Sequence, residues 1–116
     1  MITDKGQFEF LRGFEMVADE VYRIAVEHGW WQRHRTGGEV IALMHSELSE
    51  ALEYMRNGDP HSDHIPDFSG VEEELADVII RIMDYARARH LNVANAIMAK
   101  IEYNAERQYK HGGKVF

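Results

Sequence analysis

Two acidic pairs, Glu47-Leu48-Ser49-Glu50 and Glu74-Leu75-Ala76-Asp77, each set two carboxylates three positions apart within an apolar stretch of the chain. On a helix, positions i and i+3 share a face, so each pair can present two oxygen ligands in one direction. Two such helices packed face to face bring four carboxylates together. That donor set suits a hard divalent cation, Mg²⁺ with Mn²⁺ as a substitute, of the kind that bridges protein carboxylates to substrate phosphates.

Helical spacing sharpens the case at Glu47, whose neighbours on one face are Val40, Leu43, Met44, Ala51, Tyr54 and Met55. A carboxylate in the middle of an apolar stripe costs several kcal/mol unless a cation or a basic partner compensates it. Glu74 and Asp77 are expected at the edge of a stripe made by Val71, Leu75, Val78, Ile82 and Tyr85, beside Arg81 and Asp84. Glu is a good helix former, so either pair alone also reads as solvated acids on amphipathic helices, paired with Arg or Lys. The two pairs together, one centred in a core stripe, favour the cation.

Further residues are suited to phosphates or a base. Lys100, Asn104 and Arg107 follow one another at i, i+4 and i+7 and form one basic, amide-bearing helix face, which could grip phosphate oxygens or simply meet solvent. Beyond it run His111-Gly112-Gly113-Lys114, where glycines permit close backbone approach and Lys114 could reach phosphate; the order of a Walker P-loop is absent. Trp30 and Trp31 could stack on a nucleobase, with Trp31 taken as the substrate-binding candidate, or could cover the end of a bundle. His61, Asp63 and His64 match no ligand spacing and are expected in a mobile, solvent-exposed loop.

The elements that must position these groups are helical. Apolar residues Phe10, Phe14, Val17, Val21, Ile24 and Ala25 recur at helical spacing and predict a first helix from about Lys5 to Glu27, ended by His28-Gly29. A loop from Trp30 to Gly38 leads to a second helix, Glu39 to Arg56, stopped by Asn57-Gly58-Asp59-Pro60. The polar stretch from Asn57 to Gly70 holds both prolines and is the one long connection. Ser69 with Glu72 forms a capping-box pattern and opens a third helix to about Arg89, and Asn92 is the expected cap of a fourth, Val93 to about Lys110. No segment alternates as a strand does, so an all-α four-helix bundle is expected.

Composition bounds the possibilities. A length of 116 residues predicts a single domain, 1–116. With no cysteine, structural disulfides, thiol nucleophiles and cysteine-ligated zinc are excluded. A formal charge of −7 argues against electrostatic wrapping of DNA or RNA, yet leaves room for a nucleotide held through a metal ion. No stretch approaches the ~18 uninterrupted apolar residues of a membrane span and the start lacks a signal-like apolar run, so a soluble, cytoplasmic protein is expected.

The two acidic pairs on the second and third helices resemble the metal-binding helices of the MazG-type nucleoside triphosphate pyrophosphohydrolases, in segments 43–53 and 73–81. Lys100, Asn104 and Arg107 followed by His111-Gly112-Gly113-Lys114 are similar to the C-terminal part of that family's short, single-domain branch, so the likeness spans residues 39 to 114. The resemblance implies hydrolysis of a (deoxy)nucleoside triphosphate to monophosphate and pyrophosphate with Mg²⁺, in nucleotide-pool cleaning or remodelling. It further implies that Glu47, Glu50, Glu74 and Asp77 hold the metal, that Lys100, Asn104 and Arg107 contact phosphates, and that the protein is a homodimer or homotetramer. The loop between the first two helices departs from the family, so a base-reading role is not carried over to Trp30 or Trp31.

In such a reaction Glu47 or Glu50 would take the proton from the attacking water. Two other classes compete. A di-iron carboxylate bundle needs Glu-x-x-His repeats, and no Glu here has a His three residues later. A non-catalytic helical module that binds a nucleotide or a basic protein partner would use the same acids without chemistry; metal dependence separates it from the enzyme.

Overall fold

The computed structural model describes residues 1–107 and contains four α-helices: α1 (Asp4–Glu27), α2 (Gly37–Arg56), α3 (Gly70–Arg89) and α4 (Val93–Glu106). The chain is all-α; the sole β feature among the described residues is an isolated bridge between His61 and Ser69. His111 to Lys114 lie outside the described residues.

Helix starts follow side-chain capping. The Thr3 hydroxyl accepts from the Gly6 N–H, and Thr36 accepts from the Glu39 N–H. That second cap starts α2 at Gly37, two residues before the expected Glu39. Ser69 and Glu72 form the expected reciprocal box, the Ser69 hydroxyl accepting from the Glu72 N–H while the Glu72 carboxylate accepts from the Ser69 N–H. Asn92 departs from expectation. Its side-chain carbonyl accepts from the Asn95 side chain at 2.8 Å and caps no backbone group of α4.

Packing is organised around α3. Its most extensive partner is α2, its next α1, and α4 docks on α1. Buried apolar residues are mostly small, namely Ala18, Val40, Ala51, Val71, Ala86 and Ala94, with Phe14 as the large exception. Small residues let helices approach closely but bury little area, so the core is thin. Leu48, Leu52, Met55, Phe68, Leu75 and Ile79 are instead exposed. No described helix is long and apolar enough to cross a membrane.

One close approach fixes the α2–α3 seam. The Tyr54 ring of α2 lies against Gly70, the first residue of α3, where a Cβ would collide with the ring. The N-terminal end of α3 is thereby pressed onto α2, which sets Glu74 against Glu47 and Glu50.

Candidate functional site

Glu47 and Glu50 project from α2, and Glu73, Glu74 and Asp77 from the first two turns of α3. Oxygens of Glu47, Glu50 and Glu74 lie within 4.8 Å of one another, and so do those of Glu73, Glu74 and Asp77. Glu74 belongs to both groups and joins them. The four expected acids therefore fall into two adjoining groups that share Glu74, with Glu73 as a fifth carboxylate. The consecutive run Glu72-Glu73-Glu74 carried the sequence signal for it, but the i, i+3 pattern selects only Glu74.

Burial ranks the acids differently from their helical pattern. Glu47, expected in the apolar stripe, is part-buried, and its Oε1 accepts from the Arg81 guanidinium at 3.0 Å. Glu74, expected at a stripe edge among solvated charges, is the buried acid, at 7% exposure. Its edge position on α3 is covered by α2, which the pattern of α3 alone does not report. Glu74 Oε2 is sealed from solvent with no hydrogen-bond partner among the described residues. Burial, followed by the closeness of the Glu47 and Glu50 carboxylates, pushes its carboxyl up to about 8. Burial and the charges of Glu47 and Glu73 likewise raise Asp77.

The loop from Asn57 to Ser69 is hydrogen-bonded to this cluster. Ser62 is 2% exposed, its hydroxyl donating to Glu73 Oε1 at 2.6 Å and accepting from the His64 and Ile65 backbone N–H groups. His64 Nδ1 lies 2.7 Å from the other Glu73 oxygen. Hydrogen bonds from Ser62 and His64 lower the Glu73 carboxyl, and Glu73 in turn raises His64. His61, Asp63 and His64 are all exposed, as expected. A cavity of about 350 Å³ opens at this end of the seam, lined by Glu50, Glu53, Tyr54, Asn57, His64 and Glu74.

Beyond Asp77 a second cavity, about 460 Å³, lies between α1 and α3, with walls of Val21, Ile24, Ala25, Ile80 and Trp30 and polar groups from Asp77, Arg81 and Asp84. Trp30 is stacked by two guanidinium groups, Arg35 at 3.8 Å and Arg81 at 4.6 Å from its ring centre. Trp31 stands edge-on to Trp30 and donates its indole N–H to Asp84 at 3.0 Å. Trp30 lines the cavity, whereas Trp31, the substrate-binding candidate, is not among its lining residues and is bonded to α3.

The α4 face stands apart. Lys100 and Asn104 lie on α4, but the helix ends at Glu106 and Arg107 is its extended C-cap, so the expected continuous helix face stops short of Arg107. All three are exposed, Lys100 and Arg107 lie near the Tyr103 ring, and no hydrogen bond or ion pair joins them to the acids among the described residues.

Five carboxylates on one seam, one with a sealed and unpartnered oxygen, form a site whose charge is only partly met by Arg81 and His64. A group in this state must stay protonated or gain a cation. The residues present fit a hard, oxygen-preferring divalent ion.

The chain is 28% identical over 91 residues to dCTP pyrophosphatase 1 of Mus musculus and 26% identical over 91 residues to dCTP pyrophosphatase 1 of Rattus norvegicus. In each case the alignment covers 75% of this chain and 54% of the relative, so the chain spans about half the length of the curated relatives it matches. No family model and no solved structure matches the chain.

Proposed function

We propose that the chain is a metal-dependent nucleoside triphosphate pyrophosphohydrolase acting as one domain, which splits a (deoxy)nucleoside triphosphate into the monophosphate and pyrophosphate at the α2–α3 seam. The observation that carries this reading is the buried, unpartnered oxygen of Glu74 at the junction of two carboxylate groups. Similarity to proteins named dCTP pyrophosphatase 1 supports the same chemistry and makes dCTP the first substrate to try.

Glu47, Glu50, Glu74 and Asp77 would hold Mg²⁺, or Mn²⁺ in its place, with Glu73 beside them. Such an ion supplies charge neutralisation at phosphoryl oxygens and makes water more acidic. The chain's own groups do the rest. Glu50 is exposed and lines the cavity that also presents Tyr54, Asn57 and His64, whereas Glu47 is engaged by Arg81. Glu50 is therefore the acid assigned to take the proton as a water oxygen bonds to phosphorus, the α–β phosphoanhydride bond breaks and pyrophosphate leaves. Ser62 and His64 hold Glu73, and through it the first turn of α3, in place.

The thin core and the exposed Leu48, Leu52, Met55, Leu75 and Ile79 support assembly into a homodimer or homotetramer through α2 and α3. In such an assembly Lys100, Asn104 and Arg107 of one copy can reach phosphates held by the acids of another.

Product analysis tests the activity. With dCTP and the common triphosphates in Mg²⁺, ion-exchange chromatography should resolve equimolar monophosphate and pyrophosphate. Diphosphate with inorganic phosphate, or no turnover on any substrate, would contradict the assignment.

A further inference from the structure

Hydrolysing a triphosphate requires cations against its oxygens, and among the described residues no hydrogen bond or ion pair joins Lys100 or Arg107, the basic side chains expected for this task, to the acids. Arg81 is differently placed. It follows Asp77 by four positions on α3 and so shares its face. Its guanidinium reaches Glu47 Oε1 at 3.0 Å on one side and lies 4.6 Å from the centre of the Trp30 ring on the other. Arg81 also lines the α1–α3 cavity together with Asp77, and its side chain is 28% exposed. It marks the boundary between the apolar-walled cavity and the carboxylate cluster.

We propose that Arg81 is a substrate-binding residue that contacts the phosphate nearest the sugar, and that its bond to Glu47 is exchanged for this contact when a divalent cation takes over the Glu47 charge. This rests on the pyrophosphohydrolase reading above. The α1–α3 cavity, walled by Val21, Ile24, Ala25, Ile80 and Trp30, has the volume and apolar lining for a nucleoside. A nucleotide with its base there and its outer phosphates among the acids must carry its first phosphate past Arg81. In the absence of ligand Glu47 keeps the guanidinium from being a part-buried charge without a partner. Once a cation compensates Glu47, the same guanidinium has its N–H groups free for phosphate oxygens, which it matches in pairs. Stacking on Trp30 limits how far it can stray.

Binding, measured without turnover, separates this role from a merely structural one. Titration calorimetry with Mn²⁺ alone, and then with the α,β-methylene analogues of dCTP, dATP, dGTP and dTTP in Mn²⁺, would be run on the wild type, Arg81→Gln, Arg81→Lys and Glu74→Gln. Thermal melts would confirm that each variant is folded. Arg81→Gln should leave Mn²⁺ affinity unchanged or tighter, because a competing positive charge is gone, and should weaken analogue binding about 10- to 100-fold, the scale of a charge-assisted contact. Arg81→Lys should fall between, keeping charge but losing the paired geometry. If Arg81→Gln loses Mn²⁺ affinity and nucleotide affinity in proportion, Arg81 only positions Glu47 and the proposal fails. Unchanged analogue affinity in Arg81→Gln, or in Arg81→Lys should Gln not fold, overturns it equally. A wild type that binds neither Mn²⁺ nor any analogue, with Glu74→Gln indistinguishable, overturns the hydrolase reading itself and Arg81 with it.

Discussion

Trp31 donates its indole N–H to Asp84 Oδ1 at 3.0 Å, tying the α1–α2 loop to the middle of α3 across 53 positions of sequence. Asp84 is 7% exposed, and burial raises its carboxyl despite the opposing effects of Trp31 and Arg81. Replacing Trp31 with Phe keeps most of the ring contact and deletes the donor, leaving a buried carboxyl unpartnered at a cost of about 1–3 kcal/mol. Urea denaturation should show a midpoint lowered accordingly. An unchanged midpoint would mean that the bond contributes nothing and that the loop is held by ring packing alone.

Glu74 predicts the pH dependence of the metal-free protein. Its folded-state pKa, raised to about 8, lies above the ordinary carboxyl value of 4.5, so the folded chain binds a proton more tightly than the unfolded chain in that interval. Stability should therefore fall as pH rises from about 4.5 to about 8. Glu74→Gln removes the group that must ionise and should flatten this part of the profile. A divalent cation competes with the proton, so Mn²⁺ should raise the melting temperature more at pH 8 than at pH 6. Equal shifts at the two pH values would place the ion away from Glu74.

Ser62 is the buried fastener of the long loop, with one hydroxyl engaged by Glu73 and by two backbone N–H groups. Ser62→Ala should destabilise the chain by about 1–3 kcal/mol, since those partners lose their mate inside the protein. Amide hydrogen exchange checks the mechanism: His64 and Ile65 should lose protection in the variant while α1 keeps its own. Unaltered protection there would show that the loop is held by the Glu73–His64 contact or by Phe68 instead.

The exposed apolar side chains of α2 and α3 make the assembly testable without reference to activity. Ile79→Asp places a charge on a residue that is 54% exposed in the isolated chain, where it costs the monomer little. In an assembly that buries this face, the same change should shift sedimentation from an oligomer to a monomer at micromolar concentration. A wild type that sediments as a monomer would contradict the proposed homo-oligomer directly.

Much of the architecture was legible because local signals agreed. Helical periodicity in α1, the stop at Asn57-Gly58 and the capping box at Ser69 each report on a few neighbouring residues, and each sits where its chemistry predicts. The grouping of the four acids was legible for the same reason, as i, i+3 pairs share a face. The burial order was not. Glu74 is at the edge of its own helix's apolar stripe, and only the approach of α2, set by Tyr54 against Gly70, decides that this edge is covered. Helical geometry likewise put Arg81 beside Asp77 but carried no sign of its bond to Glu47, 34 positions away. Asn92 shows the converse, a good capping residue diverted by Asn95.

If the α2–α3 carboxylates hold a divalent cation for hydrolysis of nucleoside triphosphates, pyrophosphate release must depend on both the metal and Glu74. Wild type and Glu74→Gln would be assayed with dCTP and the common triphosphates in Mg²⁺, in Mn²⁺ and in EDTA. Release is expected from wild type with either metal, none in EDTA, and a loss of about 100-fold or more in Glu74→Gln, the scale of removing a charge-stabilising group from an active site. Release that survives EDTA or Glu74→Gln would contradict this assignment, as would silence of the folded wild type across every triphosphate and both metals.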